Sequence, residues 1–367
     1  MVESRSPGSP TTLATIASPP EDSALKTSSK VSLVAAATLL AVNAAQADTL
    51  VMQSIYPSSL PLLGDSGLRL TEQVSGLTGG ELEIEFNEPG AIVGGNEMWD
   101  AISTGAVDAG WYSPGFAEAV IPSASIFTAV PFGPDVRAYT AWWYHGGGEE
   151  LWAEITAPYD IHSELCAVLV PEASGWFAKE INTPADLKGI KMRVFGLGAS
   201  VMQKLGVEAQ SMPVADTLTG LRLGTIDAAE VSFPLIDKAI GMNEYASHYY
   251  FPGWHQQTSL ITFIINQDVW DGLEDQERLA IETSCAANVT FTMAEGEAKQ
   301  LEPLQELRDA GVTVHQWNDE MMSAFRGAWD EVVVERSKDD PDFKRAYDSL
   351  TAFREGFAEW AALAYTQ

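Results

Sequence analysis

A short strand that runs through a glycine turn straight into a helix constrains this chain more than any other feature. Ile190-Lys191-Met192-Arg193-Val194 follows the turn at Gly189, and Phe195-Gly196-Leu197-Gly198 leads into the amphipathic segment Ala199–Leu205. The β-branched and apolar residues of the first run read as a strand. A strand–turn–helix unit of this kind belongs to an open α/β sheet, where ligands lie beyond the carboxyl ends of the strands. It gathers backbone N–H groups and the Arg193 guanidinium near one point. That suits an anion, because a helix N-terminus carries partial positive charge and arginine pairs bidentately with carboxylates. The alternative is an Arg193 that only serves a structural Asp or Glu, and spacing alone leaves both open.

A second device appears twice. Asp100–Trp111 (DAISTGAVDAGW) parallels Thr219–Glu230 (TGLRLGTIDAAE), with Gly105 matching Gly224 and Asp108 matching Asp227. Two lobes with the same helix–glycine–strand element would bring Trp111-Tyr112 and Glu230 face to face across a cleft. A common supersecondary unit with no site explains the match equally well. Around these units the pattern predicts strands over Thr49–Ile55, Glu81–Phe86, Ala106–Tyr112, Leu165–Val170, Trp176–Ile181 and Ser259–Ile265. Helical spacing covers Leu60–Leu77, Asp275–Glu302, Met321–Glu335 and Asp342–Ala362. Asn96 is expected to cap a short helix ending at Gly105, and Thr183 to cap the turn Pro184–Leu187. The aromatics between Ile126 and Ala157 are expected to be mostly core.

Composition narrows the partners. The chain has 367 residues, 46% hydrophobic, with 21 basic and 51 acidic side chains and a net charge of −30. Such a surface repels nucleic acid and anionic lipid, and its acidity points to a saline habitat. Met1 to about Asp22 is Ser-, Pro- and Thr-rich, and reads as a disordered extension or an upstream start. Lys26 and Lys30 then precede the apolar run Val31–Val42, and Ala45-Gln46-Ala47 offers a small-x-small cleavage site. These are the marks of a secretory signal, with a mature chain from Asp48 that does not insert in the membrane; an uncleaved anchor is the alternative. Cys166 and Cys285 could bridge in an exported chain, but Cys166 lies in an apolar strand, which favours free buried thiols.

Enzyme signatures fail. The third glycine of a dinucleotide fingerprint is Val201, there is no GxSxG or GxxxxGK[ST], and the five histidines show no HExxH.

The motifs DLKGIKMR, GTIDAAE and YYFPGWH, with YHGGGEELW at Tyr144–Trp152, resemble those of the solute-binding proteins of tripartite ATP-independent periplasmic (TRAP) transporters. The likeness runs from about Thr49 to the C-terminal region and is greatest to the branch that binds 2-oxo acids, lactate and related acids. It implies a two-lobe α/β periplasmic binding protein, type II-like, with a ligand cleft between the lobes and long C-terminal bracing helices. On that plan residues 1–47 are signal and extension, 48–170 the first part of lobe I, 171–258 lobe II, and 259–367 the return to lobe I with the C-terminal helices. The implied function is capture of a small monocarboxylic acid for TRAP membrane subunits, by a periplasmic monomer or dimer that is not an enzyme. Aromatic carboxylates or sugar acids are alternative ligands; a secreted hydrolase or lyase using Glu172 and Glu230 as an acid–base pair is the alternative of a different class.

The resemblance also assigns roles. Arg193 is the implied carboxylate clamp. In the 2-oxo-acid and lactate members Na⁺ or Ca²⁺ bridges protein and ligand, which implies Glu172 and Glu230 as side-chain ligands and Val231 as a backbone-carbonyl ligand. The family usually has Gln at the position of Glu172 and Trp at that of Val231; the added charge favours Ca²⁺. Without a cation, the two glutamates would bind ligand hydroxyls or pair with Arg193. Trp176, Phe195, Phe233, Trp254 and Tyr112 are candidate pocket walls, Gln256, Tyr56 and Asn96 candidate polar contacts, and Asp237 a pocket residue or a cap.

Overall fold

The computed structural model describes residues 48–210, 212 and 214–365; the expected signal and extension, 1–47, lie outside them. The first strand, β1 (Asp48–Ser54), sits between two parallel neighbours, β2 (Leu82–Asn87) and β3 (Ala109–Tyr112). In β2 the alternation is realised as expected: Leu82 and Ile84 are buried while Glu83 and Glu85 are exposed. The helix between β1 and β2 starts at Asp65, later than the apolar spacing suggests, because residues 60–64 form a turn closed by the Gly64 N–H on the Leu60 carbonyl. The short helix Met98–Ser103 is preceded by Glu97, with no side-chain cap, so Asn96 does not cap it.

From β4 (Ile161–Leu169) the chain passes into a second sheet made of β5 (Gly175–Phe177), β6 (Lys191–Arg193), β7 (Glu208–Gln210), β8 (Ala228–Ala229) and β9 (His248–Phe251). It returns through β10 (Ser259–Asn266), antiparallel between β3 and β4. Then β11 (Thr313–Gln316) adds to the second sheet, parallel to β9. The orders are β2-β1-β3-β10-β4 and β11-β9-β5-β8-β6-β7. Segment 259–367 is therefore shared between the sheets, because β11 bonds β9 and not the first sheet.

The repeated device does the same mechanical work in both sheets. Asp108 accepts the Val51 N–H at 2.8 Å, and Asp227 accepts the Lys191 N–H at 3.0 Å. The preceding glycines, Gly105 and Gly224, have φ of 71° and 67°, which an L side chain resists. Each unit thus turns a helix into a strand and pins that strand to its neighbour.

Phe127, Tyr139, Trp142, Trp143 and Trp152 are fully buried, as expected of that aromatic stretch. Cys166 and Cys285 correct another expectation, since they form a disulfide. Strand β4 lies against the helix Asp275–Ala298, which brings their Cα atoms to 4.0 Å within the core. The last two helices brace both halves. Asp319–Asp339 packs on the second-sheet helix Gly196–Lys204, and Pro341–Ala364 packs on the first-sheet helices Val136–His145 and Gly148–Thr156. Among the described residues no helix is long and apolar enough to cross a membrane.

Candidate functional site

Arg193 ends β6 with its side chain 6% exposed, so its charge must be met inside the protein. Its Nη1 donates to Glu230 Oε2 at 3.0 Å and to the Glu230 carbonyl, and Nε donates to the Met212 carbonyl at 3.2 Å. Nη2 takes part in none of these bonds. Arg193 therefore both pairs with a buried acid and lines a cavity.

Glu230, just beyond β8, is held from three directions. Besides Arg193, the Phe195 N–H donates to Oε2 at 3.2 Å and His255 Nε2 lies 3.6 Å from Oε1. Burial pushes the Glu230 carboxyl up, but Arg193, His255 and the Phe195 N–H outweigh it and hold it down to about 2. Glu172 behaves oppositely. Burial raises it well above the usual carboxylate range and the charge of Glu230 adds to that, against a 3.0 Å hydrogen bond from Ser232. The two acids are driven in opposite directions, Glu230 toward its ionised form and Glu172 toward its protonated form. Beneath them Asp237 accepts from Trp176 Nε1 at 2.7 Å and Tyr249 Oη at 2.8 Å, and burial lifts it to about 7.

Arg193, Glu172 and Glu230 line a cavity of about 370 Å³. Of the residues expected from sequence, Arg193, Glu172, Glu230, Val231, Phe195, Gln256, Tyr56 and Asn96 line it. Tyr56 is oriented by a 2.8 Å hydrogen bond to Ser113, and burial raises its phenol. Four expected wall residues are not among the lining. Trp176 stacks on Tyr249 at 4.0 Å below the floor, and Phe233 caps the helix Pro234–Ala239 with its ring in the core. Trp254 stacks on Phe325 at 4.4 Å, and Tyr112 packs behind Phe116. Trp111 does not face Glu230 either: its Nε1 donates to the Leu63 carbonyl within the core of the first sheet. Asp237 is a buried acceptor, neither a lining residue nor a helix cap.

Sequence reading missed His255 and several apolar walls, notably Phe116, Met212, Ile55 and Leu63. His255 follows Trp254 in the segment after β9, which folds back so that the Glu172 N–H reaches the Gln256 carbonyl and the Gly253 N–H the Glu172 carbonyl. Periodicity cannot register that fold-back.

The donor set suits a cation. One ligating atom each from Glu172, Glu230 and His255 lies within 4.8 Å of the others, all three residues being buried. Among the described residues Glu172 Oε2 and His255 Nε2 find no hydrogen-bond partner despite their burial. Two carboxylates are hard oxygen donors of the kind that hold Ca²⁺, and Val231 lies beside them on the same wall.

Comparison with known proteins places this geometry. Residues 54–339 match the model for bacterial extracellular solute-binding protein family 7. The chain is 31% identical over 292 residues, 79% of its length and 80% of the relative's, to the monocarboxylate 2-oxoacid-binding periplasmic protein of Nostoc sp.. A TRAP transporter solute-binding protein from Bordetella bronchiseptica, with copurified calcium and picolinate in its active site, superposes with a TM-score of 0.84 at 32% identity, over 87% of this chain and 95% of that one. Another, from Pseudoalteromonas atlantica with bound sodium and pyruvate, gives 0.83 at 26% identity, over 87% and 97%. This chain belongs to bacterial extracellular solute-binding protein family 7 and is a TRAP transporter solute-binding protein.

Proposed function

We propose that this protein captures a small monocarboxylate, a 2-oxo or 2-hydroxy acid, in the periplasm and delivers it unchanged to TRAP membrane subunits. The observation that carries the reading is Arg193. A buried guanidinium held through Nη1 and Nε lines the cavity, where a ligand carboxylate would accept from Nη2. Tyr56 and Gln256 supply neutral polar groups to read the 2-position. Residues 48–170 with β10 form one lobe and 171–258 with β11 the other, and closure about the crossings between them buries the ligand.

Glu172, Glu230 and the Val231 carbonyl would hold a Ca²⁺ or Na⁺ ion beside the acid. When bound, a divalent cation would offset the negative charge by which two ionised glutamates and a ligand carboxylate exceed the positive charge of Arg193. The relatives with calcium or sodium support this reading. So does the orphaned Glu172 Oε2. Calorimetric titration with pyruvate and lactate, followed by recovery of the acid, tests the function. One acid bound per chain and returned chemically intact is expected; steady consumption of the acid would instead mark a hydrolase or lyase.

A further inference from the structure

The polar groups occupy only part of the cavity wall. Glu172, Arg193 and Glu230, with the neutral polar side chains of Tyr56, Asn96, Gln256 and Ser259, supply the polar lining, whereas Ile55, Leu63, Phe116, Phe195, Met212 and Val214 present carbon. About 370 Å³ is far more than a three-carbon acid fills, given that one water's share of liquid volume is about 30 Å³. An acid of that size would leave much of the apolar wall against water. A polyhydroxylated sugar acid would bury hydroxyls against carbon, which costs free energy unless each finds a partner.

Two of the apolar walls come from opposite sides. Phe116 lies in the turn after β3 of the first sheet, and Phe195 follows Val194 just beyond β6 of the second. Their rings meet with centroids 4.6 Å apart, tilted by 44°. The contact depends on a glycine. A Cβ on Gly115 would stand 2.9 Å from Phe195 Cζ and 3.2 Å from Thr128 Oγ1, while the Gly115 N–H is tied to that same threonine oxygen. The backbone of the first lobe thus has no slack to retreat from the ring of the second. An aromatic pair shared between two sheets, on the wall of a cavity with a carboxylate anchor, is a surface for a flat or branched hydrocarbon group.

We infer that the preferred ligand is a monocarboxylate whose carbon chain ends in a branched or aromatic apolar group, and that Phe116 and Phe195, brought together over Gly115, recognise that end. The inference rests on the carboxylate-capture reading and narrows it. Each buried methylene contributes about 0.8 kcal/mol, or about fourfold in affinity.

The test is a calorimetric series with a constant head and a growing tail: pyruvate, 2-oxobutanoate, 4-methyl-2-oxopentanoate and phenylpyruvate, all with Ca²⁺ present, and D-glucuronate as a polar ligand of comparable bulk. Affinity is expected to rise along the tails, with 4-methyl-2-oxopentanoate or phenylpyruvate at least tenfold tighter than pyruvate and D-glucuronate weaker than both. Phe116→Ala should shrink the tenfold preference to threefold or less, and Gly115→Ala, which forces Phe195 aside, should shrink it too. Pyruvate binding as tightly as the longer acids, or D-glucuronate binding more tightly, would overturn the inference while leaving carboxylate capture intact. Failure of every acid to bind would overturn the carboxylate reading itself, and this inference with it. The wild-type series decides the matter even if a variant does not fold.

Discussion

Arg193→Ala is expected to weaken carboxylate binding by about 100-fold or more, and to destabilise the empty protein as well. The first effect follows from the loss of the cation that meets a desolvated carboxylate, which costs about 2–5 kcal/mol in buried charge pairs. The second follows from Glu230. With Arg193 gone, the Glu230 carboxylate, 1% exposed, is left among the described residues with the Phe195 N–H and the His255 ring 3.6 Å away. Removing one partner of a buried pair typically costs about 3–5 kcal/mol. The two roles can be separated. Arg193→Ala combined with Glu230→Gln removes the stranded charge, so it should recover much of the stability and none of the binding. Arg193→Lys keeps the charge but not the planar fork, and should bind with intermediate affinity. Calorimetry and thermal melts on the three variants check this; an Arg193→Ala protein that binds within threefold of wild type contradicts the assignment.

Stripping the protein with a chelator is expected to weaken acid binding by about tenfold to 100-fold, with Ca²⁺ restoring it more fully than Na⁺. In the free chain the Arg193 charge is already met by Glu230 at 3.0 Å, while burial and the charge of Glu230 push the Glu172 carboxyl up. That leaves no positive charge in excess for an incoming carboxylate. A hard divalent ion supplies it, and two carboxylate donors favour Ca²⁺ over a monovalent ion. Glu172→Gln replaces a charged donor by a neutral oxygen, so it should lower Ca²⁺ affinity by about tenfold and narrow the gap to Na⁺. The check is titration in metal-free buffer with elemental analysis of the protein as purified. Chelator-insensitive binding, with no cation found, would remove the ion from the mechanism.

Much of the site could be read in the chain because its parts sit at strand ends. Arg193 closes β6 and Glu230 directly follows β8, its neighbour in the sheet, so local patterning placed both at the same edge. The paired Asp108 and Asp227 were equally visible, since one glycine–strand device recurs. What stayed hidden depends on contacts between distant segments. Nothing in the local sequence separates Trp254, stacked on Phe325 of a C-terminal helix, from a pocket wall. Phe116 was missed because it becomes a wall only when its turn meets Phe195. The Cys166–Cys285 disulfide joins a strand to a helix 119 residues later, and the apolar setting that argued for free thiols is the core in which they meet. Likewise β11 joins β9 by a backbone pairing that a four-residue strand between helices does not announce.

Native mass spectrometry of the protein purified gently from a bacterial periplasm tests the central claim most directly. The account predicts one small acid per chain, released on denaturation and identified by its mass as a monocarboxylate, and absent from Arg193→Ala prepared in the same way. A passenger without a carboxyl group, or an acid retained at full occupancy when Arg193 is removed, would contradict it.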